Sequence, residues 1–355
     1  MSETPPLDTT RQEIEIDFFR IEDAPGIARL FRQVYEEGYP IRTYYLPDQL
    51  IEENAAGHII SCVARTPAGE VVGHNALVLL DSATHLYENA AGAVLPAFSG
   101  QGVFLRLFKH TVVNTVKRFG IEAIVGEPVC SHIHVQKMCL QLDFKESGLE
   151  VDLMPAAAYG MDSGASNRVS VLLGFFMCKP SIQTIQIPMA YRDELESLYA
   201  GLHVERTFVL SRNDLPAEGN SQGSMNVFDS AQVARITIDC IGPDFDQFIL
   251  HLESEARKKG TVIFQVWLPL ASPSTSAATD ILRGHGYFLG GMLPCGRNGD
   301  GLLMQKVGQE PDWESIALYS ERARRIGEMI RSDCQSVSAS VSSGMLTNRI
   351  STGNH

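Results

Sequence analysis

The chain has 355 residues, 44% of them hydrophobic, which is enough for two ordinary domains with sizeable cores. Its 29 basic and 42 acidic residues give a net charge of −13, which disfavours binding to nucleic acid or to anionic membrane surfaces. No apolar run reaches the roughly 18 residues of a membrane span, and the N-terminal segment lacks the apolar part of a signal peptide. Seven cysteines without a Cys-x-x-Cys pair indicate reduced thiols rather than a zinc site. We therefore expect a cytoplasmic protein.

The first predicted elements of the chain are a strand, two helices and a hairpin. Residues 14–19 alternate as a strand, and a helix with one apolar face begins at Asp23-Ala-Pro25. A second, short helical segment is predicted around Leu50. Residues 58–64 and 71–80 then predict two strands joined as a hairpin.

The next stretch combines a strand end, a glycine loop and a helix. Small and β-branched residues at 91–95 predict the strand end, which Pro96 closes. The loop Ser99-Gly-Gln-Gly102 follows, and its glycines can adopt backbone angles closed to other residues. From Val103 an amphipathic helix is predicted, with Gly120 as its stop. The expected apolar stripe consists of Leu105, Phe108, Val112, Val116 and Phe119.

A helix that starts on such a loop can bind an anion. Its first amides have no intrahelical partner, and the helix dipole adds positive charge, so that a phosphate is the most common ligand. The Walker loop does not fit, and the dinucleotide fingerprint would need a third glycine where Leu105 stands. A tight turn before a core helix is the alternative interpretation.

The following segments complete an eleven-element order. Residues 121–129 predict an apolar strand that contains Glu127 and ends at Pro128, and Ser131 can cap a helix through Leu142. An alternating segment at 168–178 predicts the final strand. The predicted order is β-α-α-β-β-β-α-β-α-β-β.

In this order, the loop Pro96-Ala-Phe-Ser-Gly-Gln-Gly-Val103 resembles the pyrophosphate loop of the GNAT acyltransferases. In that family, Gln/Arg-x-x-Gly-x-Gly/Ala follows the fourth strand and cradles coenzyme A, mainly through main-chain amides. Ala97 stands where the family usually has Gln or Arg. The resemblance implies a mixed α/β, mainly antiparallel fold with acetyl-CoA or coenzyme A as co-substrate and no metal. It also implies coenzyme contacts at Val94, Leu95, Phe98, Ser99, Gly100, Gln101, Gly102, Val103 and His132.

The end of the following helix is also similar to the family's Asn-x-x-Ala-x-x-Leu-Tyr-x-x-x-Gly-Phe signature. His132 occupies the Asn position, Cys139 the Tyr position and Asp143 the Gly position. Cys139 could therefore protonate the departing thiolate, although a lone cysteine on an apolar helix face also fits the core. His132 and His134 could donate that proton, or hold a metal if a third ligand joined them.

Acyl transfer to an amine also needs a base and an oxyanion donor. Glu88 matches the general-base glutamate of the histone-acetylating branch of the family, or is an ordinary strand-end carboxylate. Glu127 is the second candidate, because burial in its apolar run would make it a stronger base. The oxyanion donor would be the amide of Val94 or Leu95. Three tyrosines in the loop that covers the acceptor in GNAT folds either contact the acceptor or pack within the loop, and they are Tyr39, Tyr44 and Tyr45.

The second half of the sequence resembles a diverged repeat of the first half. Residues 260–269 parallel 120–128, and 282–288 parallel the segment ending at Phe144. Its phosphate-loop position, 238–246, contains one glycine, a proline and three carboxylates, which would repel a pyrophosphate. We therefore expect a degenerate GNAT-like domain that completes a shared sheet or shields the first active site.

The chain thus divides into five predicted segments. The C-terminal one is serine-rich and without aromatic residues, so that it cannot bury enough apolar surface to fold. The segments are a flexible N-terminus (1–13), a GNAT acyltransferase domain (14–179), a degenerate GNAT-like domain (180–310), a helix (311–335) and a disordered tail (336–355).

The resemblance implies an acyl-CoA-dependent N-acyltransferase whose acceptor is a primary amine of a small molecule or peptide. The acidic composition favours a cationic acceptor. The missing loop Gln/Arg and the missing tyrosine leave a non-catalytic acyl-CoA sensor as one alternative. An aminoacyl or peptidyl transferase, like the tandem GNAT-like ligases of cell-wall synthesis, is another.

Overall fold

The computed structural model describes residues 13–82, 84–159, 168–179, 182–202, 204–296 and 299–351. The chain divides into two compact units. Unit 1 comprises Met1–Leu79 and Glu88–Gly120, and unit 2 comprises Leu80–Tyr87 and Ile121–His355. Of the predicted flexible N-terminus (1–13), all but Glu13 lies outside the described residues, as does Pro180 at the predicted domain boundary.

Unit 1 is a mixed α/β unit. Its elements are β1 (Glu15–Phe18), α1 (Ala24–Tyr35), α2 (Pro47–Ala56), β2 (Ile59–Arg65), β3 (Val71–Asp81), β4 (Leu86–Val94) and α3 (Val103–Phe119). The strands lie in the order β1-β2-β3-β4, and the β1–β2 and β2–β3 pairs are antiparallel. The tip of the β3–β4 hairpin, Leu80–Tyr87, belongs to unit 2.

Strand β2 shows how unit 1 is layered. All 7 of its residues are buried, so both faces of the sheet are covered. Ile59 and Val63 pack in one core with Phe31 of α1, whereas Cys62 packs in another with Leu107 of α3. Because successive strand residues point to opposite faces, α1 and α3 cover opposite sides of this sheet.

Unit 2 carries the remaining elements. They are β5 (Ala123–Gly126), α4 (His134–Gln141), β6 (Lys145–Pro155), β7 (Arg168–Met177), β8 (Ile182–Ile187), α5 (Arg192–Tyr199), β9 (Glu205–Leu210), β10 (Gln222–Phe228), β11 (Val233–Cys240), α6 (Phe245–Lys258), β12 (Ile263–Pro269), α7 (Thr275–Gly284), β13 (Phe288–Gly296), β14 (Gly299–Lys306) and α8 (Glu321–Ser351). Its sheet has the order β5-β7-β6-β13-β14-β12-β11-β10. Strands β8 and β9 pair in parallel as a separate small sheet.

The order of this sheet is symmetric about the β6–β13 pair. Strands β7 and β5 lie on one side and β14 and β12 on the other, and all these neighbouring pairs are antiparallel. Both halves share one element order, β5-α4-β6-β7 and β12-α7-β13-β14. The central pair meets at Gly148 and Gly291, and a Cβ on Gly148 would lie 2.4 Å from the carbonyl oxygen of Gly290. This close approach therefore requires glycine.

A buried glutamine adds hydrogen bonds at the β6–β13 pair, where the ladder gives one register pair, Gly148 with Gly291. The side-chain nitrogen of Gln305 donates to the carbonyls of Leu149 at 2.8 Å and Leu289 at 3.1 Å. Its oxygen accepts from the Val151 amide at 2.8 Å. Because buried backbone groups need partners, this side chain supplies hydrogen bonds next to the single register pair of β6 and β13.

The predicted element order of the first half is confirmed from Glu15 to Met177. Helix α3 begins at Val103, and Gly120 follows its end with a left-handed φ of 66°. Helix α4 begins at His134, and Ser131 does not cap it. Among the described residues, no helix combines the length and apolar content needed to cross a membrane.

The buried face of α3 differs from the prediction. Leu105 and Phe119 are exposed, at 40% and 42%, whereas Thr111 and Thr115 are buried. The Thr111 hydroxyl donates to the Leu107 carbonyl at 2.9 Å, which satisfies it inside the core. The sequence pattern was wrong here because it treated threonine as polar. The buried residues are Val103, Leu107, Phe108, Thr111, Val112 and Thr115.

The predicted disordered tail at 336–355 is also wrong in part, because α8 continues to Ser351. Its buried stripe recurs every three or four residues, so that one face packs on the core of unit 2. The stripe consists of Ala323, Ile326, Ile330, Cys334 and Val337. Ala323 to Cys334 lie in the predicted helix (311–335), and Val337 carries the stripe into the serine-rich segment, whose residues 352–355 lie outside the described ones.

Candidate active site

The loop between β4 and α3 presents main-chain atoms without side-chain cover. Gly100 and Gly102 have φ angles of 74° and 75°, and nothing lies within 4 Å of the position of a Cβ on either. The Gln101 side chain donates to the Ala97 carbonyl at 3.0 Å and so closes the loop. Helix α3 has no side-chain cap at its start. The loop therefore offers amides at a positively polarised helix end.

Some of the predicted coenzyme contacts are engaged within unit 1. The Leu95 amide donates to the Val72 carbonyl at 2.9 Å, so it cannot serve as the oxyanion donor. The Val94 amide points away from β3, because successive strand amides alternate in direction, and it stays the predicted donor. The Phe98 and Ser99 amides donate within the 3-10 turn before the loop.

Glu88 and Tyr44 interact electrostatically within unit 1. Glu88 is half-buried on β4, whereas Tyr44 is fully buried and stacks on Phe31 with ring centroids 4.7 Å apart. Burial raises the pKa of Tyr44 well above its usual range, and the charge of Glu88 adds to the effect. The Tyr44 hydroxyl has no hydrogen-bond partner among the described residues. A ligand atom or a water molecule would satisfy it there.

The three predicted acceptor tyrosines form one aromatic cluster. Tyr44 and Tyr45 are only 1% and 2% exposed, so both belong to the core of unit 1. The Tyr45 hydroxyl accepts from the Tyr39 amide at 2.9 Å, and the Tyr39 ring lies 5.5 Å from that of Tyr44. The structure thus favours loop packing for Tyr45. Acceptor contact stays a prediction for Tyr39 and for the Tyr44 hydroxyl.

A buried histidine that the sequence pattern did not indicate lies beside these residues. His74 is fully buried, its Nδ1 lies 2.8 Å from the Ala91 carbonyl, and its Nε2 lies 3.0 Å from the Ser61 hydroxyl. Because a carbonyl only accepts, Nδ1 carries the proton and Nε2 accepts from Ser61. Burial lowers the pKa of His74 to about 4, so the ring is neutral. The bond holds Ala91, whose φ of 55° interrupts the regular geometry of β4.

In unit 2, Glu127 belongs to a buried polar cluster. It faces Arg235 at 3.9 Å, and their side chains are 17% and 24% exposed. Arg235 donates to Glu150 at 3.1 Å and to the Gln265 oxygen at 2.8 Å, and Gln265 donates to Glu150 at 2.6 Å. Burial, with the charge of Glu127 added, raises the pKa of Glu150 to about 8, and Arg235 opposes this rise.

This cluster was not visible from the sequence. Glu150 stands between the apolar residues Leu149 and Val151, a weak signal for a buried carboxylate. Arg235 and Gln265 are register partners on the parallel strands β11 and β12. Their meeting depends on strand pairing, which the pattern of a single segment does not contain.

The raised pKa of Glu150 predicts a dependence of stability on pH. Between its ordinary value of 4.5 and about 8, the folded protein holds a proton that the unfolded chain has released. Stability from this group is therefore present at low pH and falls as pH rises through that window. This decrease in the free energy of unfolding is on the order of a few kcal/mol, and we expect Glu150→Gln to remove it. Chemical denaturation from about pH 5 to pH 9 measures it, and equal slopes in both proteins would contradict the expectation.

Cys139 does not fit the role of leaving-group acid. It is 6% exposed, and burial, with the charge of Glu146 added, raises its pKa to about 12. So weak an acid is a poor proton donor to a thiolate, and the core interpretation holds. His132 and His134 are exposed, with ring centroids 5.4 Å apart. No group of three possible metal ligands occurs among the described residues.

No protein-family model and no curated protein matches this sequence. Solved structures resemble part of it. Ribosomal-protein-S5-alanine acetyltransferase from Vibrio fischeri is 13% identical with a TM-score of 0.38, over 47% of this chain and 93% of its own. An N-acetyltransferase from Staphylococcus aureus Mu50 is 16% identical with a TM-score of 0.39, over 47% and 99%. The Salmonella typhimurium protein yncA, described as a candidate acetyltransferase and solved with its cofactor acetyl-CoA, is 14% identical with a TM-score of 0.38, over 47% and 95%.

Proposed function

We propose that this protein is an N-acyltransferase that uses acetyl-CoA and holds the coenzyme pyrophosphate on the β4–α3 loop. The observation that carries the proposal is the loop geometry, because two left-handed glycines with open space above them stand at the uncapped start of a 17-residue helix. Backbone amides at a helix N-terminus are well placed for phosphate oxygens. The loop amides from Gly100 to Val103 would make these contacts.

Unit 1 offers groups for two requirements of acyl transfer, the base and the oxyanion donor. Glu88, a half-buried carboxylate on β4, would accept the proton of a primary amine. The Val94 amide would stabilise the oxyanion of the tetrahedral intermediate. The acceptor would be an amine of a small molecule or a peptide, and the net charge of −13 favours a cationic one.

We further propose that the C-terminal half is a degenerate repeat without a coenzyme site. The mirrored strand order about the β6–β13 pair supports the repeat. At the corresponding loop, the Gly242 amide donates to the Ser221 hydroxyl at 3.0 Å, and the Ser221 amide donates to Asp244 at 2.7 Å. The first bond occupies a loop amide that a phosphate would need, and the Asp244 carboxylate would repel a phosphate.

Coenzyme binding can be tested without knowing the acceptor. Acetyl-CoA is expected to raise the melting temperature, because a ligand of the native state stabilises it by mass action. The double variant Gly100→Asp with Gly102→Asp should lose this shift, since two carboxylates would face the pyrophosphate. Differential scanning fluorimetry across a coenzyme titration measures the effect.

The matched control places two aspartates at other left-handed glycines of unit 1. Gly57 and Gly69 have φ angles of 76° and 81° and open space at the Cβ position, as the loop glycines do. Gly57→Asp with Gly69→Asp should therefore lose similar stability and keep the coenzyme-induced shift. An unchanged coenzyme-induced rise in melting temperature in the Gly100→Asp with Gly102→Asp variant would contradict the proposal.

An acyl-CoA sensor is the second candidate, favoured by the burial of Cys139 and its raised pKa. A sensor would bind the coenzyme and release no thiol. Measuring free thiol from acetyl-CoA across a panel of primary amines separates the two functions. Tight binding without release from any amine would favour the sensor.

A further inference from the structure

Unit 2 contains a cavity of about 430 Å³ that the proposed acyl transfer does not use. Its walls come from β5, β7, the five strands β10 to β14, and the tip of the β3–β4 hairpin. Small-molecule sites typically occupy roughly 300–1,000 Å³, so the space suits a ligand of that size. Glu127 and Arg235 both line it.

These two groups form a loose ion pair. The Glu127 oxygen and the Arg235 nitrogen are 3.9 Å apart, beyond the roughly 3.2 Å limit of a direct hydrogen bond. On the buried side, the guanidinium donates to the Gln265 oxygen at 2.8 Å and to Glu150 at 3.1 Å. Arg235 is thus held in position while 24% of its side chain stays exposed.

The other carboxylates at the cavity wall are engaged with neighbours. Asp81 accepts from the Thr84 amide at 2.9 Å and from its hydroxyl at 3.1 Å. Asp300 is paired with Arg206 at 2.7 Å, with neither side chain more than 1% exposed. Glu127 and Arg235 are therefore the charges that a ligand in the cavity would meet.

A ligand with a single charge would leave one member of the pair desolvated and without compensation, which is costly. A ligand with both charges avoids this cost, because its ammonium can pair with Glu127 and its carboxylate with Arg235. An α-amino acid carries these groups on one carbon, close enough to reach a pair 3.9 Å apart.

The remaining wall is largely apolar. Trp267, Leu173 and Val125 line the cavity. Leu80 and Phe228, which also line it, are 42% and 45% exposed. Exposed large apolar side chains around a cavity are typical of a binding site, and they would pack on an apolar ligand body.

We propose that this cavity binds a small zwitterion of the α-amino acid type with an apolar side chain. Its ammonium lies against Glu127, its carboxylate against Arg235, and its side chain against Trp267. This binding is independent of acyl transfer, so a binding measurement alone tests it.

The chain provides its own reporter for the test. It has two tryptophans, so Trp313→Phe leaves Trp267 in the cavity wall as the sole indole. L-Leucine, L-phenylalanine and L-glutamate are titrated into this variant, and Trp267 emission is followed. The apolar amino acids should give a saturable change. Their N-acetyl forms lack the ammonium and their methyl esters lack the carboxylate, so both should bind at least about ten-fold more weakly.

Glu127→Gln is the matched variant, because it removes one charge with little change of shape. It should weaken the free amino acid at least about ten-fold and leave the N-acetyl form unchanged. Arg212→Gln, outside this cavity, should bind as the parent does. No saturable change up to about 10 mM would overturn the proposal. Equal affinity for the amino acid and its ester would overturn it too, and that comparison needs no further variant.

Discussion

Replacing Glu88 with glutamine is expected to lower kcat for acyl transfer by about 100-fold or more, the usual contribution of a positioned base. The amide keeps the shape of the side chain and cannot accept the amine proton. Coenzyme affinity should hardly change, because the coenzyme would rest on main-chain amides of the β4–α3 loop. The rate should rise again at high pH, where solvent takes the ammonium proton, and the loss should be smaller for a weakly basic amine, which is already unprotonated. Steady-state kinetics with an acceptor found in the amine panel measure all three.

Glu127→Gln is the matched control on unit 2. Glu127, like Glu88, is a half-buried carboxylate. If Glu88 is the base, Glu127→Gln should leave kcat intact. If only Glu127→Gln is inactive while still folded, the base lies on unit 2. Full activity in both variants would mean that water removes the proton and that positioning alone drives the reaction.

The sequence predicted the fold of the first half well because its signals are local. Pro25 at the start of α1, the glycine loop before α3 and Gly120 after it are determined by the backbone preferences of single residues. Such signals need no knowledge of the partner strand. The element order from β1 to β7 followed from them.

The site was less predictable because it depends on packing. Tyr45 and Cys139 were candidates from their positions in the sequence, which did not reveal that both side chains are buried. Conversely, Glu150 and His74 stand among apolar strand residues, and only the fold shows which hydrogen bonds satisfy them. A single sequence contains residue spacing, whereas burial and register are properties of the assembled sheet.

A second buried ion pair anchors the small β8–β9 sheet. Arg206 on β9 makes a bidentate contact with Asp300 on β14, at 2.7 and 3.1 Å, and neither side chain is more than 1% exposed. The Tyr199 hydroxyl donates to the same carboxylate at 2.7 Å, and the Asp300 amide donates to Gln183 of β8 at 3.2 Å. Asp300 therefore ties both strands of the small sheet to the main sheet of unit 2.

Arg206→Met is expected to destabilise the protein by about 3–5 kcal/mol, because it leaves the buried Asp300 carboxylate without its counter-charge. Chemical denaturation at neutral pH measures the loss. Arg192→Met is the control, since Arg192 pairs with Glu196 where both side chains are about half exposed, at 54% and 45%. Breaking such an exposed pair costs at most about 1 kcal/mol.

The double variant Arg206→Met with Asp300→Leu distinguishes charge from packing. If the cost of the single variant is an unpaired buried charge, removing both charges should recover most of the lost stability, as apolar replacements of buried pairs commonly do. If the cost is a lost shape, the double variant should be at least as unstable as the single one. Recovery would show that Arg206 is needed mainly to neutralise Asp300, and that the packing of β9 on β14 tolerates its replacement.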